Sequence, residues 1–282
     1  MSAAWALTLS VAMHVAWNLI ARHQPARSWP LWWVLLFHAV IIAPWGISHL
    51  LATVQWTPQF VTLLLLSAIA NAGYFASLKR AYDNGPVAMV YPMVRSSPLL
   101  IALWSALFFG ESLGWGSWLG IVISVLGLSL MLRPHGQSLD HKAIPWALAA
   151  MLCTSVYSLS DKAATGHLID FRAIVGFISI GYLLAFFTIT GMLRKETGRW
   201  TPPARMPVWV TISGGLAVGL AYALVVHAMR SLPSAEVVAY TNAGIVAATV
   251  IAIVFFKERQ LWRLRLASSA IICTGLAIMA WL

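Results

Sequence analysis

Ten apolar runs, each about 20 residues long, follow one another along this chain with little between them. They are Ala3–Ala21, Pro30–Leu51, Gln59–Leu78, Val87–Phe109, Trp115–Leu132, Ala143–Ser160, Phe171–Leu193, Pro207–Met229, Ala235–Phe256 and Leu264–Leu282. An α-helix of that length rises about 30 Å, the thickness of a bilayer's hydrocarbon core. Ten crossings consume about 200 of the 282 residues, which leaves short connections and no room for an extramembrane domain. Lipid offers the backbone no hydrogen-bond partners, so each run is expected to be helical. The strands of an outer-membrane barrel would instead alternate apolar and polar residues. The fold class expected is therefore an all-α integral membrane protein with ten transmembrane helices.

Composition excludes the competing classes. Only 9% of residues are charged, against about 25% in soluble domains. The 18 Lys and Arg against 8 Asp and Glu would suggest nucleic acid in a soluble protein. Here the basic residues sit at the ends of apolar runs, where they contact lipid headgroups and set topology, so no nucleic-acid partner is expected. Trp5, Trp29, Trp56, Trp115, Trp146, Trp200, Trp209 and Trp281 fall near run ends, as an aromatic belt requires. Cys153 and Cys273 lie inside apolar runs and give no disulfide framework. No cluster has metal-ligand spacing and no Gly-rich phosphate loop precedes a helix, so no cofactor is expected. The N-terminus lacks the basic region of a cleavable signal.

The two halves resemble each other. Pro86–Glu111 aligns without a gap on Pro233–Glu258, an offset of 147. In both, Pro and Ala open a run that closes on Phe-Phe-x-Glu, and the next run carries a glycine, Gly127 or Gly275. Residues 1–137 and 138–282 thus read as two repeats of five helices. An odd number of spans forces the repeats into opposite orientations, the inverted-topology plan of many secondary transporters. Gly116-x-x-x-Gly120 and Gly215-x-x-x-Gly219 read as surfaces for close helix packing.

Polar residues inside the runs carry the functional reading. Arg95 lies about 12 Å from the nearer end of its run, too deep for easy snorkelling. An arginine there costs about 2.5–3.5 kcal/mol on insertion scales, so it is expected to face protein or a wet cavity. Pro92 and Pro98 deprive the Ala88 and Val94 carbonyls of their helical donors. Arg95 either satisfies those carbonyls or an intramembrane acid, or anchors an anionic substrate group through its planar fork. Tyr91 shares its helix face. Asn18 with His14, Asn71 with Tyr74, and Tyr157, Tyr222, Tyr240 and Asn242 are further mid-run polar residues. Each alone is compatible with a helix–helix hydrogen bond; together they can line one cavity between the repeats. His14 and Glu236 are the candidates for proton exchange. Asp161 and Lys162 adjoin at a run end and read as a solvated pair.

Five helices duplicated to ten, with a helix closing on an apolar-apolar-x-Glu turn in each half, resembles the EamA family of the drug/metabolite transporter superfamily. Phe108–Ser112 (FFGES) and Phe255–Arg259 (FFKER) match the family's fourth- and ninth-helix endings. His14–Asn18 (HVAWN) and Tyr91–Pro98 (YPMVRSSP) resemble one subset of it, associated with organophosphonate utilisation. The resemblance implies a metabolite carrier of the bacterial inner membrane, usually an exporter, and no enzyme. The expected activity is alternating-access transport of a small polar, anionic or zwitterionic metabolite. The alternatives are an importer of organophosphonate-like solutes and a membrane enzyme using His14 or Glu236 as general base. A monomer or homodimer surrounded by lipid is expected.

Charge bias gives an orientation. Fourteen of the 18 Lys and Arg fall in odd-numbered loops; Lys162, Arg172 and Arg230 lie on the other side, and Arg95 completes the set. The positive-inside rule then places both termini outside, whereas the family is commonly drawn with both inside.

Overall fold

A computed structural model describes residues 1–21, 24–85, 87–108, 110, 113–130, 141–255 and 261–281, without the side chains of 18, 21, 26, 87–89 and 252. Every regular element among them is helical. The helices are α1 (Ala3–Ala21), α2 (Pro30–Phe37), α3 (Ala43–Thr53), α4 (Pro58–Asn84), α5 (Val87–Val94), α6 (Ser97–Phe108) and α7 (Trp115–Leu130). They continue with α8 (Ala143–Ala164), α9 (Phe171–Thr197), α10 (Val208–Ala228), α11 (Ser234–Thr241), α12 (Ala243–Val254) and α13 (Trp262–Trp281). Helix falls on all ten apolar runs. Seven stretches among the described residues are long and apolar enough to cross a membrane by themselves: Pro30–Thr53, Pro58–Asn84, Ala143–His167, Phe171–Thr197, Val208–Ala228, Ser234–Ile251 and Trp262–Trp281. Ala3–Trp17 and Trp115–Leu130 are shorter apolar helices, and the fourth run is split into α5 and α6. The Phe-Phe-x-Glu endings at Phe109, Glu111, Phe256 and Glu258 lie outside the described residues.

Several helices outrun their apolar runs, because polar side chains support the extra turns. In α4, Lys79 pairs with Asp83 at 2.7 Å and the Asn84 amide reaches the Arg80 carbonyl at 2.7 Å. Between α8 and α9 a short 3-10 turn, Thr165–His167, leads to Asp170, which caps α9 by accepting from the Ala173 amide at 2.8 Å. At the other end of α9, Gly198 takes φ 72° and returns its amide to the Arg194 carbonyl, a left-handed stop that glycine tolerates. Between α2 and α3, Pro44 cannot donate to the Val40 carbonyl, and the backbone widens into a π-turn over His38–Ile42.

The chain packs as two compact units, Met1–Ala76 with Ser160–Arg230, and Ser77–Leu159 with Ser231–Leu282. Each draws segments from both halves of the sequence. In the first unit α1 runs against α10, where Ser10 Oγ donates to the Ala221 carbonyl at 2.8 Å and Trp17 lies on Gly214. There, too, α3 lies against α9 through glycine: a Cβ on Gly46 would stand 2.6 Å from the Gly176 nitrogen. Phe60, Leu64, Phe75, Phe177, Ile178 and Tyr182 fill its core. In the second unit α7 lies antiparallel to α13, and a Cβ on Gly120 would stand 2.5 Å from the Gly275 carbonyl oxygen. Lipid tails are as apolar as leucine, so contact area from small residues, rather than expulsion from water, holds such helices together. Gly215 and Gly219 instead make room for side chains, those of Phe37 and His38.

Candidate functional site

The most distinctive polar group of the second unit forms where α5 gives way to α6. The Arg95 amide still donates to the Tyr91 carbonyl at 3.0 Å, the Ser96 amide turns tighter onto Met93 at 3.2 Å, and helix resumes at Ser97. Pro92 and Pro98 bracket the break, as their missing amides require. Arg95 therefore sits in the gap of a broken helix. Its Nε donates to the Tyr91 hydroxyl at 3.0 Å, its Nη1 donates to Thr241 Oγ1 at 3.2 Å, and its guanidinium stands 5.1 Å from the Tyr91 ring centre.

A second break answers the first. Helix α11 stops at Thr241 and α12 starts at Ala243, with Asn242 between them. Asn242 is the residue 147 positions after Arg95, the offset of the sequence repeat. Its Nδ2 donates to the Arg95 carbonyl at 3.3 Å, so the two breaks meet. Asn242 is 1% exposed, and its Oδ1 has no protein partner. Further out, Ser105 and Ser234 approach to 3.5 Å, so α6 and α11 pass in opposite directions. One turn before Tyr240, Glu236 accepts from Ser117 Oγ at 2.5 Å, in the first turn of α11 where a helix favours negative charge. Tyr157 is buried in the same unit.

Of the sequence candidates, Arg95, Tyr91 and Asn242 are thus brought together, and Thr241 joins them unforeseen. Nothing in its apolar run distinguishes that threonine except its neighbour.

The first unit holds the others. His14 Nδ1 lies 2.9 Å from the Ser10 carbonyl on its own helix. Asn71 is buried, with Oδ1 unpartnered, beside Gly181. Tyr74 packs edge-on to Phe75. The side chain of Asn18 lies outside the described residues. Tyr222 is drawn to Asp161: its hydroxyl donates to Asp161 Oδ2 at 2.5 Å, while Ser67 Oγ donates to Oδ1 at 2.5 Å. Asp161 is 1% exposed, not half of a solvated pair, and Lys162 donates instead to the Met229 carbonyl. The reason is that α8 continues for another turn, carrying Asp161 inward. The available signal was a stripe of small polar residues at helical spacing, Ser155, Ser158, Asp161 and Thr165, all buried.

Comparison with known proteins agrees with this architecture. Residues 1–133 match the EamA-like transporter family. The chain is 24% identical over 163 residues to a riboflavin transporter of Rhizobium johnstonii, a match covering 58% of this chain and 52% of that protein. It is 20% identical over 226 residues to an S-adenosylmethionine uptake transporter of Rickettsia bellii, covering 79% and 73%. The chain thus spans about half the length of the first relative and nearly three quarters of the second. A solved crystal structure superposes with a TM-score of 0.73 at 20% identity, over 98% of this chain and 95% of that one, which shows a shared fold. Both relatives are named as transporters. The resemblance to the EamA family is borne out over residues 1–133.

Proposed function

We propose, on the premise that residues 1–133 belong to the EamA-like transporter family, that this protein is a secondary carrier of the bacterial inner membrane. It moves a small polar metabolite, anionic or zwitterionic, by alternating access between two inverted five-helix repeats, and it exports that metabolite. The observation that carries the reading is Arg95 in the gap of a broken helix, held by Tyr91 and Thr241. Interrupted helices are where carriers bind solutes, because the backbone groups released there line a cavity. The Arg95 fork suits a carboxylate or phosphonate, and the Tyr91 ring orients it. Asn242, Tyr240 and Tyr157 of the same unit supply further hydrogen bonds to the solute. His14 and Glu236 exchange protons if the cycle is proton-driven.

Uptake is the second reading. It is favoured by the name of the Rickettsia bellii relative, an uptake transporter.

Binding is tested by thermal stabilisation of the purified protein across anionic and zwitterionic metabolites, riboflavin and S-adenosylmethionine included. A solute at 100 times its Kd stabilises a protein by about 2.7 kcal/mol. The expected result is a solute that raises the melting temperature of the wild type and not of Arg95→Ala. A stabilising solute that acts equally on a folded Arg95→Ala protein contradicts the assignment of Arg95.

A further inference from the structure

We propose that Asp161 is a reversible proton-binding site inside the membrane, with Ser67 and Tyr222 as the groups that let it hold either protonation state. Asp161 is 1% exposed, and the apolar span that carries it, Ala143–His167, continues for six residues beyond it. A buried ionisable group within a span is expensive and points to function. Three separate spans build this one: α8 supplies the acid, α4 supplies Ser67, and α10 supplies Tyr222. Both partners are neutral hydroxyls, 94 and 61 residues away in the chain.

That choice of partner decides what the site can do. A guanidinium or ammonium in contact would lock the carboxylate in its charged form. A hydroxyl donates one hydrogen bond and also accepts. With Asp161 ionised, both hydroxyls donate to it, as in the geometry above. When a proton from water binds one carboxyl oxygen, the new O–H donates to Ser67 Oγ or Tyr222 Oη. That hydroxyl turns its own hydrogen elsewhere. Neither state leaves the acid without a partner, so the proton comes and goes without repacking three helices.

The cationic groups close to this end of α8 are directed at backbone. Lys162 donates to the Met229 carbonyl, and Arg230 Nη2 donates to the Leu168 carbonyl at 3.1 Å. On α9, the hydroxyl of Tyr182 donates to the Val218 carbonyl at 3.4 Å. On α4, one turn from Ser67, stands the uncharged Asn71, and on α10 His227 faces the Met1 carbonyl at 3.2 Å.

That this proton is a coupling proton rests on the carrier reading; that the site binds one does not. The test needs no solute. Infrared difference spectra of the purified protein in lipid nanodiscs, taken as the pH is stepped between about 4 and 9, report a protonated carboxyl through its C=O stretch. The expected result is a titrating band that is lost in Asp161→Asn and whose midpoint moves to higher pH in Tyr222→Phe, which removes one donor to the ionised form. A band indifferent to Asp161→Asn overturns the proposal, as does an Asp161 band that does not titrate. Tyr222→Phe keeps the experiment decisive if the asparagine variant does not fold: an unmoved midpoint then contradicts the assignment. Loss of solute binding with the band intact would count against the carrier reading alone.

Discussion

At the scale of single residues, the side chains that matter differ in how they announce themselves. Arg95 is legible because an arginine between two prolines has no business in an apolar run unless something receives it. Replacing it by lysine exchanges a planar fork for a point charge. Losing one charge-assisted hydrogen bond costs about 1.5–3 kcal/mol, so solute affinity in Arg95→Lys should fall about tenfold or more while the fold survives. Equilibrium binding of the stabilising solute checks this. Asp161 was not legible, because its partners come from other helices and only the buried stripe on α8 hints at them. Asp170 carries a separate prediction. Desolvation pushes its carboxyl up, but the Ala173 amide, His49 and the Arg172 amide outweigh it and hold it below the usual carboxylate range. The folded value lies below the unfolded one of about 3.9, so the charged cap stabilises fully above about pH 4. That contribution is lost as the pH falls through the folded value. Asp170→Ala should cost about 0.5–2 kcal/mol near neutral pH, and Asp170→Asn, which still caps, should flatten the acid limb of stability measured by thermal melts against pH.

Among the helices, the sequence located every apolar run but could not say how each is built. Prolines mark the break at Arg95. The break at Asn242 has none: Ala239 and Ile245 stand where the first half has Pro92 and Pro98. There an amide side chain reaches across to the Arg95 carbonyl, a long-range contact that only the repeat offset foreshadows. Helix pairing was partly legible from glycine spacing. The contacts turn that into a contrast between two substitutions on α9. A Cβ on Gly176 would lie 2.4 Å from the Gly46 carbonyl oxygen, whereas one on Gly191 would meet nothing within 4 Å. Gly176→Ala should therefore destabilise by about 1–3 kcal/mol, through overpacking against backbone that cannot give. Gly191→Ala should be neutral or stabilise by about 0.4–1 kcal/mol. Melting temperatures of the two variants in one detergent make the comparison.

For the molecule as a whole, the sequence suggests two five-helix repeats but not which helices pack together. Each compact unit combines segments from both halves, since helix contacts depend on surfaces that no single run displays. Orientation rests on charge. With fourteen basic residues on one side and three on the other, the termini are proposed to lie outside the cytoplasm. An alkaline-phosphatase fusion at Leu282 in a bacterial host should then be active, and a well-expressed but inactive fusion would reverse the assignment. Carriage itself is tested by counterflow. Proteoliposomes containing the purified protein are loaded with the solute that stabilises it, then diluted into a trace of the labelled compound. A carrier gives a transient, chemically unchanged accumulation of label inside the vesicles, strongly reduced in Arg95→Lys. Label that never accumulates above the passive leak of empty vesicles, or that emerges as a different compound, would contradict it.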